Sequence, residues 1–244
     1  MLLTTLAVLT ALAAAPADSP AVYQAVFIRA APGHLLHLID AVKARMPVYD
    51  AAEEHRPLVL RHAQGDQWDL MLLIPIGSVA EHFGETRAGR WRAAVKKTGF
   101  DDGQFGRQLD QWVSWREELY VAGPPVSALD AAAGPAGYFH LEIFQALAGK
   151  RDSLRAERKM ENEFLARTGR PTNLIFDKVT GPAWDSFTIG FYRDLPHYAE
   201  PAKVAAAEED AAARSAGFES RNHLGSYLRQ LISAHHDTLG PIVR

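Results

Sequence analysis

The residues best suited to chemistry fall in the second half of the chain. In the run YFHLEIFQ, His140 and Glu142 stand two apart, a spacing that puts both on one face of a strand. The later run WDSFTIGFY offers Trp184 and Tyr192 at one parity, with Ser186 and Thr188 between them. Near the C-terminus comes His235-His236-Asp237. Imidazole and carboxylate are the common groups for proton transfer near neutral pH and common ligands of zinc and iron. His140, Glu142, Trp184, Tyr192 and His235 are therefore the candidate ligand-binding residues, lining the inner face of the sheet. The opposite reading is a buried polar network that only satisfies itself. No residue is assigned a catalytic role.

No metal site is assigned either. Leu224, Tyr227, Leu228, Leu231 and Ile232 recur at helical spacing, which predicts a final helix running into His235. On a helix His235 and His236 diverge by ~100° and do not share one ion. The segment KRDSLRAERKMENEF, residues 150–164, offers Leu154, Met160 and Phe164 among alternating charges, and predicts a helix with a solvated face. Its rival is a polar cavity faced by Arg158 or Glu161. A P-loop, a GxGxxG turn, a GxSxG elbow and an HExxH helix are all missing from the sequence, so the familiar signatures of those chemistries do not apply.

The elements that must hold these residues come in two copies. GDQWDLMLL at Gly65–Leu73 precedes GPAWDSFTIGFY at Gly181–Tyr192, and Arg56-Pro57, Trp68-Asp69, Gly99-Phe100 and Gly123-Pro124 are answered by Arg170-Pro171, Trp184-Asp185, Gly217-Phe218 and Gly240-Pro241. Matches at nearly one offset mark a tandem repeat. Units over residues 21–126 and 137–244 are joined by an Ala/Gly/Pro-rich linker over residues 127–136.

Within each unit the pattern reads strand, helix, hairpin, helices. Ala21–Ile28 is a strand, His34–Met46 an amphipathic helix ended by Pro47, and Pro57–His62 with Trp68–Ile76 a hairpin. The third strand is apolar on both faces, so it belongs inside the sheet. Helices are predicted over Val79–Lys97 and Phe105–Leu119. In the second unit the strand Tyr138–Gln145, the charged helix, the hairpin Asn173–Thr180 with Trp184–Tyr192, and an Ala-rich helix ended at Gly217 follow the same order. Phe187, Ile189 and Phe191 read as the face beneath the helices. The recurring Trp-Asp pairs fit a structural role, the indole sealing a barrel end and the carboxylate accepting backbone N–H bonds at the hairpin.

The 244 residues carry a net charge of −3 and no cysteine. That excludes disulfides and thiolate chemistry, and it supplies no basic stripe, so nucleic acid is not expected as a partner. Residues 1–17, MLLTTLAVLTALAAAPA, are uncharged and end in small residues. They predict a signal peptide and an exported protein, periplasmic or secreted. No later segment is apolar for long enough to span a bilayer, so no stable membrane insertion is expected after cleavage.

Strand, helix, hairpin and helices, repeated once, resembles the dimeric α/β-barrel superfamily, and YFHLEIFQ followed by Gly149 together with NLIFDKVTGPAWDSFTIGFY is most similar to its NIPSNAP and EthD-type domains. The resemblance implies an α+β fold in which two tandem ferredoxin-like units form an intrachain pseudo-dimeric α/β barrel, and hence a monomer. The inner-facing polar and aromatic set on that fold, together with the leader, points to an exported small-molecule-binding protein with an unknown reaction and unknown cofactors. The alternatives are a cofactor-free or haem-dependent oxygenase or oxidoreductase, with His140 or His235 as base or axial ligand, and a structural or interaction protein with a filled barrel.

Overall fold

The computed structural model describes residues 20–244, so the expected signal peptide lies outside the described residues. The first unit opens with strand β1 (Ala21–Ala30), helix α1 (Leu35–Ala51), and the antiparallel pair β2 (Leu58–Arg61) and β3 (Leu70–Gly77). It continues through α2 (Val79–His82), α3 (Glu85–Thr98) and α4 (Asp102–Trp112) to β4 (Val113–Gly123). After α5 (Val126–Ala133) the second unit repeats the order. It has β5 (Tyr138–Ala146), α6 (Arg151–Arg167), β6 (Leu174–Thr180) and β7 (Ser186–Tyr192). Then come α7 (Leu195–Tyr198), α8 (Ala206–Ala216), a 3-10 turn, α9 (Leu224–Arg229) and β8 (Ile232–Val243).

The eight strands close into one antiparallel barrel in the order β1-β3-β2-β8-β5-β7-β6-β4. Each unit supplies four adjacent strands, and the seams are β2 with β8 and β4 with β6. As the doubly apolar pattern requires, β3 lies between β1 and β2. Its Met71 and Leu73 point into the barrel, while Leu70 and Ile74 pack beneath α1. Tyr23, Phe27, Trp68, Phe139, Leu141, Phe176, Phe187 and Ile189 fill the interior, and burying each large side chain contributes about 1.5–3 kcal/mol. Phe187 and Ile189 thus line the barrel interior, and it is Ser186, Thr188 and Tyr192 that face the helices; the parity was legible, but which side the helices cover was not.

Three predicted elements end differently. Pro47 lies inside α1 on its exposed side, where solvent replaces the lost N–H bond while buried Val48 and Tyr49 anchor the last turn. The predicted helix Phe105–Leu119 gives way at Val113 to β4, and the predicted final helix stops at Arg229 before β8. In both, pairing with the first strand of the unit overrides the local helical spacing, since β1 with β4 and β5 with β8 form long ladders. The linker is itself helical: Leu129 and Ala133 of α5, with Ala136, are buried against the barrel core, and Arg244 donates to the carbonyls of Ala133, Gly134 and Ala136. No helix among the described residues is long and apolar enough to cross a membrane.

Candidate functional site

The duplication gives every position in the second unit a counterpart in the first. Helices α1 and α6 are both 17 residues long, Arg151 answering Leu35 and Arg167 answering Ala51. The ladders superpose as well: Val26 pairs with Glu118 and Ile28 with Arg116, as Glu142 pairs with Asp237 and Phe144 with His235. On this alignment Val26 stands for Glu142, Ala41 for Glu157, Val42 for Arg158, Arg45 for Glu161 and Arg116 for His235.

Because β8 is a strand, His235 and Asp237 share a face and His236 points the other way. Register then brings His235, Asp237, His140 and Glu142 together on the outer face of the barrel, beneath α6 and α9, rather than on its inner face. His140 Nε2 lies 3.0 Å from Asp237 Oδ1. His235 Nε2 lies 3.5 Å from both Glu142 Oε1 and Asp237 Oδ1, and its ring stacks on Phe144 with 5° between the planes. Thr188 Oγ1 donates to Glu142 Oε2 at 3.1 Å.

Helix α6 keeps Arg151, Asp152, Arg155, Lys159, Glu163 and Arg167 on the expected solvated face and turns Glu157 and Arg158 inward. Arg158, its side chain 2% exposed, lies over Phe144 and donates to both oxygens of buried Glu157 at 2.6 and 2.7 Å. Its Nη1 stands 2.6 Å from Glu161 Oε2 and 3.5 Å from Glu142 Oε2, yet neither contact is aligned as a hydrogen bond, and Nη1 and Glu161 Oε2 have no other partner. Between these groups and Leu224, Leu228, Arg229 and Ile232 is a cavity of about 220 Å³. The polar-cavity reading of Arg158 and Glu161 is therefore the one the structure adopts.

Burial alone would push the Glu142 carboxyl up, but His235, Arg158 and His140 outweigh it and hold it at about 2. His235 is raised, chiefly by Glu142 and further by Asp237, against the opposing effect of burial. Glu161 is pushed up to about 7, because desolvation and the neighbouring Glu142 and Glu157 exceed the pull of Arg158. The cavity thus sets an imidazole of raised pKa against a carboxylate, beside a carboxyl poised near neutrality to gain or lose a proton.

Of the five sequence candidates, His140, Glu142 and His235 come together. Tyr192 borders the group through Tyr198, whose ring packs on both Tyr192 and His140. Trp184 does not join them. It precedes β7, donates to Glu117 Oε1 at 2.7 Å and packs edge-on against His236 at the barrel end, where His236 also meets Asp66 at 3.1 Å. Sequence reasoning named Asp237 in the His235-His236-Asp237 run without placing it among the candidates, and missed Glu157 and the Phe144 platform; reading the last segment at period two, with His235 and Asp237 on one face, would have kept the first.

The same place in the first unit is apolar at its centre and charged at its edge. Val26 and Val42 stand where Glu142 and Arg158 do, and the space they leave is a larger cavity of about 380 Å³ that includes Ile28, Leu72, Phe105 and Leu109, with Arg45 and Arg116, the counterparts of Glu161 and His235, and Asp110 also on its wall. Only the outer pairing is kept: Gln24 Nε2 donates to Glu118 Oε2 at 2.6 Å as His140 meets Asp237. The fold closes with valines at these positions.

No known family model matches the sequence, and no curated protein does. Solved structures do. A "putative monooxygenase" from Lactobacillus acidophilus NCFM matches with a TM-score of 0.54 at 8% identity, over 93% of this chain and 95% of that one. An anthrone oxidase-like protein matches with a TM-score of 0.56 at 13% identity, over 93% and 92%. The fold is that of the dimeric α/β barrels. Here the two ferredoxin-like units of the pseudo-dimer share one chain, and the match in fold carries no statement about activity.

Proposed function

We propose that the protein is an oxidoreductase of the oxygenase kind, acting on a small oxygen-bearing molecule in the second-unit cavity. The observation that carries this reading is the internal asymmetry: one copy of the fold closes with Val26 and Val42, and the other places a charged cluster at the same positions. Burying charge without a folding need is costly, and such clusters gather at working sites. The oxidase and monooxygenase named among the structural neighbours support the reaction class. In this proposal Arg158 Nη1 donates to a substrate oxygen, Leu224, Leu228 and Ile232 hold the apolar part, and Glu161 exchanges a proton near neutrality. The Arg158 cation offsets the negative charge that develops on the substrate, and the electron-rich anion is what dioxygen oxidises.

Haem does not fit this site. The cavity falls below the ~300–1,000 Å³ usual for larger ligands, and the Nε2 of His235, the candidate axial ligand, is turned toward two carboxylates. Export, a monomeric state and a NIPSNAP/EthD-type affiliation belong to the same proposal, supported by the uncharged leader, the intrachain barrel and the runs quoted above.

An oxygen electrode tests the reaction. The protein, incubated with a panel of small phenols and enolisable carbonyl compounds, is expected to consume dioxygen with at least one member, at a rate that falls by about 10²-fold or more in Glu161→Gln. Binding of panel members without consumption would leave a small-molecule-binding protein in place of an enzyme.

A further inference from the structure

The geometry points to a site for one divalent transition-metal ion, held by Glu142 Oε1, His235 Nε2 and Asp237 Oδ1. It rests on the reading of this cavity as the working site and names the centre on which that site turns. The three atoms all lie within 4.8 Å of one another. Their spacing decides between a hydrogen-bonded pair and a ligand set. A charged pair held by a hydrogen bond contracts to ~2.7–2.9 Å, whereas His235 Nε2 keeps 3.5 Å from each carboxylate oxygen. Bonds of about 2.0–2.2 Å to a common ion place neighbouring ligands roughly 3–3.5 Å apart.

The surroundings hold each donor in place. Thr188 and Arg158 both approach Glu142 on Oε2, which leaves Oε1 directed at His235. Stacking on Phe144 fixes the His235 ring, and His140 Nε2 holds Asp237 through the ligand oxygen Oδ1 itself, at 3.0 Å, as outer-shell partners do around metals. Glu142, Glu157 and Glu161 gather around Arg158, with Arg229 at the cavity wall, and Asp237 adds a further carboxylate beside His235. Arg158 Nη1 lines the same cavity, paired with Glu161 Oε2 at 2.6 Å, so the buried cation beside the ligand set is already matched by a carboxylate that is not a ligand. One imidazole with two carboxylates suits zinc, manganese, iron or cobalt better than an all-oxygen calcium cage, and three protein ligands leave a position open toward the cavity. Arg116, a permanent cation, occupies the His235 position of the first unit, so the stoichiometry is one ion per chain.

Cobalt(II) alone serves as probe, added to the chelator-treated full chain and followed by visible absorption and calorimetry. We expect one Co²⁺ per chain, with affinity lowered at least about tenfold in Glu142→Gln, His235→Gln and Asp237→Asn. Asp237 is more than half exposed, so its variant keeps the fold and reports the ligand role if the others do not. Glu118→Gln, at the first-unit counterpart, should leave binding unchanged. Absence of a Co²⁺ complex, or equal affinity in Asp237→Asn, overturns the site. Dioxygen uptake by metal-stripped protein would also overturn it while leaving the oxidoreductase reading intact; a Co²⁺ complex with no uptake across the panel sinks that reading and leaves the metal site standing.

Discussion

Glu161 shows how the two copies inform each other at the level of single residues. Its carboxyl is raised to about 7 from an unfolded value near 4.5. A group raised in the folded state gives its full stability below the unfolded value and loses it as pH climbs through the folded one. Glu161→Gln should therefore match the parent near pH 4.5 and exceed it at pH 8, by on the order of 2 kcal/mol, when both are unfolded thermally in the presence of a chelator. Glu53 offers a second test. It is exposed, with φ of 58°, and it is the non-glycine residue with a left-handed backbone among the described residues; its counterpart Gly169 has φ of 70°. Glu53→Gly should raise stability by about 1 kcal/mol in denaturant unfolding, since no buried contact is lost. The sequence exposed His140, Glu142 and His235 because imidazole and carboxylate are rare in apolar runs. It hid Asp237 because that residue shares a face with His235 only if the segment is a strand.

Among the elements, the Trp-Asp pairs keep the structural role that their recurrence foretold, but the carboxylates bond to the first strand rather than at the hairpin. Asp69 Oδ2 accepts from Ala30 N at 2.8 Å, and Asp185 Oδ2 accepts from Ala146 N at 2.9 Å. In each unit the bond falls at the end of the first strand, where the ladder to the last strand shifts register, so a side chain takes the N–H that the bulge leaves over. Asp69→Ala and Asp185→Ala should each cost about 1–3 kcal/mol, measured by urea unfolding, and by similar amounts because the two bonds are copies. The helices were legible by spacing where one face packs on the sheet, and both αL ends at Gly99 and Gly217 follow from glycine at the repeat positions. The last strands were not legible. The helical spacing of Leu224 to Ile232 runs past the end of α9, while in β8 the alternation is blurred by histidines that face a cavity rather than solvent.

For the whole molecule, the repeat forecast the pseudo-dimer because its matches span both copies, whereas nothing in local spacing told which sheet face the helices cover. The two seams close the barrel within one chain, and the interior is filled by aromatic side chains from both units. A chain that closes its own sheets has no need of a second copy. Light scattering on the mature protein should report a monomer, and residues 21–126 or 137–244 expressed alone should self-associate through the opened core. Two well-behaved monomeric halves would contradict the single barrel.

The central claim is that the charged cluster of the second unit serves function, because the first unit folds without it. Its most direct test converts the buried centre of one copy to that of the other: Glu142→Val, Glu157→Ala and Arg158→Val together, as Val26, Ala41 and Val42 stand in the first unit, with Glu161→Gln so that no carboxylate is left without its partner. Replacing a buried ionic network by uncharged residues is often neutral or stabilising by about 1–4 kcal/mol. Thermal unfolding of the quadruple variant should give a midpoint equal to or above that of the parent protein. A midpoint lowered by ~10 °C or more, equivalent to a few kcal/mol in a chain of this size, would show that the cluster holds the fold and would contradict the account.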